Sequence, residues 1–389
     1  MGGFMEEKKL QLKKNKNSSV YYTLMSIIGI FLIAIAIFNT TQIVTLNNSL
    51  TTKLAEIAEN ARPANLTLAI ISARCTICSD ITPVVSELSA LKSINIVDRQ
   101  EIQPDSAQAK ELIRTYAINA LPAIIITGEI NKTSVLKTAL SGALREKNGA
   151  LLFDSPAPPF INLLTNKIVG SVKVTIVETV GCIACQNLSI MLFQLKKAGI
   201  YFEDVTLLDY ESAKAKTLVN TYSITKLPAA ILSADLEAYP SITATWSQIG
   251  TLEKDGSYII REVPAPYYDL TKQAVAGIVN VVYLKDNLCD TCYDVEQFHS
   301  SALKGLGLYI RGSSSVDINS VQGKELVDKY AITKIPTVLL SGDVGVYAAF
   351  GKIWPQVGTV ASDGTYIFRS VEIAKRPYRD LTTGEIITP

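Results

Sequence analysis

The chain has 389 residues, enough for two or three domains of ordinary size. Hydrophobic residues make up 48%, charged residues 19%, and mean hydropathy is +0.23, which excludes an intrinsically disordered chain. With 22 glycines and 15 prolines it is no collagen-like fibre. Lys+Arg 37 against Asp+Glu 36 leaves no basic surplus for neutralising phosphates, so no nucleic-acid partner is expected.

The first nineteen residues form a basic tail, with Lys8, Lys9, Lys13, Lys14 and Lys16 against Glu6 and Glu7. No charge then appears until Lys53, and residues 20–38 read VYYTLMSIIGIFLIAIAIF, apolar enough and long enough to span a bilayer. Tyr21 and Tyr22 suit the headgroup region. The apolar run exceeds that of a signal peptide, and its small-x-small site, Ala34-Ile35-Ala36, lies inside the run, so an uncleaved anchor is expected. By the positive-inside rule the tail stays cytoplasmic and the rest is exported, with the lipid bilayer contacted through residues 20–38. Residues 39–62 read as a stalk. Ile43, Leu46, Leu50, Leu54 and Ile57 form a helical stripe, expected to pack against the first domain, with a short dimeric coiled coil as the alternative.

All six cysteines fall in three C-x-x-C pairs, Cys75/Cys78, Cys182/Cys185 and Cys289/Cys292, repeating every 107 residues. Each pair is followed 46 or 47 residues after its first cysteine by a proline in a matching setting: Leu121-Pro122, Leu227-Pro228 and Ile335-Pro336. A helical segment ending in Tyr-x-Ile precedes each proline (107–118, 213–224, 321–332), and an apolar strand follows it. Asn148-Gly149, Asp255-Gly256 and Asp363-Gly364 mark hairpin turns, expected to hold both residues at positive φ. Trp246 recurs as Trp354 but has no counterpart in the first copy.

Each copy opens with an apolar strand, and the C-x-x-C at its end is expected to open a helix; in the first copy Ile81, Val84, Val85, Leu88 and Leu91 would line one face. A second strand, a second helix, the proline corner and a hairpin complete a β-α-β-α-β-β unit of the α/β class. Pro-rich joins at 155–159 and 264–266 read as extended spacers, giving domains at 63–158, 159–266 and 267–389. Pro377-Tyr-Arg-Asp-Leu381 echoes Pro266-Tyr-Tyr-Asp-Leu270.

Strand, C-x-x-C, helix and a Tyr-x-Ile-x-x-Leu/Ile-Pro corner together resemble the thioredoxin family, over nearly all of residues 63–389. Three tandem thioredoxin-like α/β sandwiches behind one transmembrane helix are the expected fold. The third copy keeps the family's Ile-Pro-Thr as Ile335-Pro336-Thr337, and Pro83 stands where thioredoxins kink the first helix. The resemblance implies that Pro122, Pro228 and Pro336 are cis and face the cysteines. It also implies that Leu121, Leu227 and Ile335 offer their backbone to an extended substrate. A thiolate at a helix N-terminus is stabilised by free N–H groups, so Cys75, Cys182 and Cys289 are expected as nucleophiles, and Cys78, Cys185 and Cys292 as resolving thiols.

The copies depart from the family. The dipeptides Thr76-Ile77, Ile183-Ala184 and Asp290-Thr291 contain neither Pro nor His. The family's Trp before the first cysteine is replaced by Arg74, Gly181 and Leu288, and its buried Asp by Ala69, Ile176 and Tyr283. Arg74 should favour a Cys75 thiolate and Asp290 oppose one at Cys289. No metal or cofactor is expected, because the pairs lie in separate modules and His299, expected on an exposed helix face, is the lone histidine. The reading is a membrane-anchored extracytoplasmic thiol–disulfide oxidoreductase acting on exported protein thiols and disulfides, with a membrane thiol electron carrier as candidate partner. The alternative is a non-catalytic scaffold in which the pairs are closed staples.

Overall fold

A computed structural model describes residues 3–133, 136 and 142–389, with side chains from residue 21 onward. The tail lysines therefore lie outside the described side chains. Contacts divide the chain into two units: one holds residues 1–72, 80–118 and 123–155, the other 73–79, 119–122 and 156–389.

One helix runs from Gly3 to Ala61. It is the one helix among the described residues long and apolar enough to cross a membrane. The anchor and stalk read separately from sequence are thus continuous. Nothing between residues 39 and 61 interrupts the helix: the stretch has no Pro or Gly, and Thr40, Thr41, Thr45, Thr51 and Thr52 bond their hydroxyls back to carbonyls three or four residues earlier. At 1.5 Å per residue this part adds about 35 Å. Ile43, Leu46, Leu50, Leu54 and Ile57 are all exposed, so the stripe does not pack on the first repeat as expected. The helix end is held instead by charge. Arg62 bonds Glu59 and Glu129 at 2.6–2.7 Å, and Lys132 reaches Glu59. Arg62 and the Asn65 amide hold the Glu129 carboxyl down at about 2.

Three α/β repeats follow, each built on a five-stranded sheet of the same order. The central strand (Ala64–Ile71, Val172–Glu178, Ile278–Lys285) pairs in parallel with an outer strand (Ile94–Ile102, Phe202–Asp209, Tyr309–Asp317). On its other side it pairs antiparallel with the strand after the proline (Ala123–Gly128, Ala229–Leu232, Thr337–Gly342), and the hairpin closes the sheet. Each central strand buries one side along its length, while the other is exposed at Asn65, Lys173 and Asn280 and becomes buried toward the strand's end, where both sheet faces are covered. In the third repeat the helix Val295–Gly305 packs with Val279, Val281, Phe350 and Trp354, while Leu284, Ile332 and Leu339 form a second core on the opposite face. The second repeat divides likewise. The three repeats are α/β sandwiches of one design.

The helix before each corner (Ala107–Tyr116, Ala213–Thr221, Val321–Lys329) starts at a serine whose hydroxyl accepts the third amide: Ser106, Ser212 and Ser320, at 3.0–3.2 Å. It ends at the Tyr-x-Ile. The middle residue is left-handed in every copy (Ala117, φ 49°; Ser223, 51°; Ala331, 46°). The Ile amide then bonds a carbonyl five residues back, as in a Schellman stop. The chain is thereby turned into the corner.

Three expectations change. Pro83 lies in the first turn of the helix Thr82–Ala90, where its missing N–H has no partner to lose, and it kinks nothing. The hairpin turns hold both residues at positive φ only at Asn148-Gly149; at Asp255-Gly256 and Asp363-Gly364 the glycine alone does so, within longer loops closed by Glu253–Ser257 and Ala361–Thr365 bonds. The Pro-rich joins are built into the fold, with cis bonds at Pro158–Pro159 and Ala265–Pro266. They lead into hairpins (Phe160–Asn162 with Lys167–Val169, Tyr267–Asp269 with Ala274–Ala276) that pair back onto the corners, and after Pro377 a third hairpin (Tyr378–Asp380 with Ile386–Ile387) does the same.

Candidate functional site

Each C-x-x-C pair is closed as a disulfide, with Cα atoms 5.3–5.4 Å apart. The pairs sit in turns that precede the helices. In the second and third repeats the amides of Cys185 and Cys292 bond the carbonyls of Cys182 and Cys289. The helices begin later, at Thr82, Ser189 and Val295. An Asx residue stands two positions after each second cysteine. Asp294 is the N-cap of its helix and accepts the Gln297 amide at 3.0 Å, while Asp80 and Asn187 lie one residue before the N-caps Ile81 and Leu188 and accept the amides of Thr82 and Ser189 at 2.8 Å. The first cysteines are thus not in the first helical turn, contrary to expectation.

The bonds Leu121–Pro122, Leu227–Pro228 and Ile335–Pro336 are all cis. In the second repeat Cys182, Cys185 and Pro228 line one cavity of about 220 Å³, together with Glu178, Gln186 and Asn187. In the third, Cys289, Cys292 and Pro336 line one of about 330 Å³, together with Asp286, Tyr293 and Glu296. In the first repeat, the Ser79 amide beside Cys78 bonds the carbonyl of Pro159 at 2.8 Å, just before the strand paired with Leu121.

Exposure differs from the thiol roles read from sequence. Cys182 and Cys289 are buried at 9% and 7%, while Cys185 and Cys292 are partly exposed. The residues around them project outward: Ile183 is 98% exposed, and Val180, Leu288, Arg74 and Asp290 are also exposed. Leu121, Leu227 and Ile335 are buried, and their backbones already face Ile161, Tyr268 and Arg379 of the chain's own hairpins. The edge on that side of each corner strand is thus already paired.

Sequence reasoning missed three groups in the third repeat. Asp286 has a side chain with no solvent exposure, accepts the Leu288 amide (2.9 Å) and the Asn319 amide group (3.0 Å), and pairs with Arg379. Its carbonyl accepts the Cys289 amide. It supplies a buried carboxylate beside the disulfide, from a loop rather than from the Tyr283 position. Tyr293, next to Cys292, donates its hydroxyl to the Pro336 carbonyl at 2.9 Å. His299 is buried, not exposed: Val295, His299 and Leu303 share the helix face turned to the core. Its ring lies 4.7 Å from that of Phe368 and its Nε2 3.3 Å from the Tyr293 hydroxyl. Burial lowers its pKa to about 4 and raises that of Tyr293. The Asx residues carried a signal, since Asp, Asn and Asp stand at one offset in all three copies; Asp286 carried none. Among the described residues, no three His, Cys, Asp or Glu side chains gather to hold a metal ion.

No family model matches the chain, and no curated protein does. Solved structures do match. The NTD_N/C domain of the alkylhydroperoxide reductase AhpF from Enterococcus faecalis is 16% identical, over 48% of this chain and 89% of that one, at a TM-score of 0.15. A protein disulfide oxidoreductase from Aeropyrum pernix is 14% identical, over 45% and 78%, at 0.13. Human ERp44 in a zinc-bound form is 13% identical, over 74% and 83%, at 0.13.

Proposed function

We propose that the chain is a membrane-anchored thiol–disulfide oxidoreductase with its three domains, 63–158, 159–266 and 267–389, outside the cytoplasm. Its exchange partners would be thiols and disulfides met outside the cytoplasm and a membrane thiol carrier. One observation carries the reading: every cysteine belongs to a closed C-x-x-C pair, and in the second and third repeats the pair and the cis proline line one solvent cavity. A disulfide that closes so short a loop removes little chain entropy, so stapling is a poor reason for three of them. Exchange needs an accessible sulfur, and Cys185 and Cys292 supply one. A second reading, a scaffold with inert bridges, is favoured by the burial of Cys182 and Cys289.

The assay is disulfide turnover by the full chain in detergent. Replacing Cys75, Cys182 and Cys289 together by Ser should reduce turnover to the uncatalysed rate. Unchanged turnover in that variant, or none in the parent, would leave the scaffold reading.

A further inference from the structure

A strand edge with unpaired N–H and C=O groups beside a reactive disulfide is a template on which an extended polypeptide adds itself as a further strand. In this chain each such edge is taken by the chain itself. Ala120-Leu121 pairs with Asn162-Ile161, Lys226-Leu227 with Asp269-Tyr268, and Lys334-Ile335 with Asp380-Arg379. Two bonds flank every ladder. At one end the amides of Leu163, Leu270 and Leu381 donate to the carbonyls of Asn119, Thr225 and Thr333, at 2.7–2.9 Å. At the other, the residue after each second cysteine (Ser79, Gln186, Tyr293) donates its amide to Pro159, Pro266 or Pro377, at 2.8–3.1 Å.

The device is written into the sequence three times as Pro-Phe/Tyr-x-Asn/Asp-Leu, at 159–163, 266–270 and 377–381. Its Asn or Asp turns the chain back by accepting the amides of Leu164, Thr271 and Thr382 at 2.9 Å. In the third copy Arg379 also reaches from this cover strand to the buried Asp286. In the second and third repeats the cysteines line a cavity of about 220 and 330 Å³, the scale of a compact molecule.

We infer that the direct exchange partners of these sites are low-molecular-weight thiols and disulfides, and that the cover strands exclude extended polypeptides; this rests on the exchange reading above. A compact thiolate RS⁻ attacks one sulfur of Cys289–Cys292, that S–S bond breaks, and the other sulfur leaves as a thiolate that takes up a proton. A second RS⁻ attacks the RS sulfur of the mixed disulfide, releasing RSSR and the reduced pair. Two electrons thus pass from two RSH to the protein, and the reverse sequence reduces RSSR.

The test mixes the reduced full chain, in detergent, with 2-hydroxyethyl disulfide and separately with insulin, following loss of protein thiols. The small disulfide should react at least roughly 30-fold faster, the factor expected when several hydrogen bonds must open before a polypeptide enters. Substituting Y268P and L270P together strips amide donors from the second cover strand, which among the described residues carries no ion pair to its site. Insulin should then react faster, while the small disulfide keeps its rate within about twofold, as expected where the sulfurs themselves are untouched. Equal rates for both probes with the unsubstituted chain overturn the inference and leave the exchange reading standing. Reaction with neither overturns the exchange reading and the inference with it. If the prolines unfold the second repeat, seen as lost helical circular dichroism, the unsubstituted chain decides alone.

Discussion

His299 and Asp286 show two ways in which a buried ionisable group is accommodated. His299 is held neutral among Tyr293, Phe298 and Phe368. Its folded pKa of about 4 lies below the unfolded value near 6.5, so between those values the unfolded chain binds the extra proton. Stability of the third repeat should therefore fall as pH drops, by about 2 kcal/mol between pH 7 and 5 from this residue alone. Urea unfolding at several pH values checks this, and His299→Leu should flatten that slope. Asp286 is instead paired with Arg379. Arg379→Ala leaves a buried carboxylate with only two amide donors, at a cost of about 2 kcal/mol in the same unfolding measurement. Neither residue was legible as buried from sequence, because their placement depends on which helix face or loop turns inward. A lone His at an i+7 offset from Cys292 fits either face until the neighbouring Val295 and Leu303 are seen to share it.

Local chemistry repeats where sequence identity does not. The serine caps, the left-handed residue of Tyr-x-Ile and the Asx residue after the second cysteine, bonded to an amide at the helix start, recur in all three copies although the side chains around them differ. Ser212→Ala or Ser320→Ala should each cost about 1 kcal/mol. Ala331→Gly should gain up to about 1 kcal/mol, since glycine takes that conformation without Cβ crowding. Thermal unfolding of single variants separates these effects. Strands, helices and proline corners were legible because their signals are local: apolar runs, three- to four-residue periodicity, and proline at a fixed distance from cysteine. The cover strands were not. Their motif was visible as an echo, but its pairing with a corner 40 or more residues earlier is a long-range contact, and the preceding prolines read more naturally as spacers. The late helix start was legible in principle, from the Asx residues at one common offset.

At the scale of the whole chain, a helix long and apolar enough to span a membrane leads into three α/β repeats, each with one disulfide and one cis-proline corner. The repeat period read from cysteines carried the architecture, and the near-neutral total charge divides into a basic tail and a remainder with 32 basic against 34 acidic residues. The exposed network at residues 59–132 should weaken with salt, as exposed pairs do. Hydrogen exchange at residues 55–62 in low and high salt would show the helix end opening more readily at high salt. The central claim, that the three pairs exchange rather than staple, is met most directly by a redox titration. The full chain is equilibrated in graded glutathione buffers, quenched by alkylation, and its thiols counted pair by pair. The account predicts that all three pairs open in the folded protein in two-electron steps, at potentials above roughly −300 mV. Pairs that stay closed across that range, and open only when the chain is denatured, would contradict it.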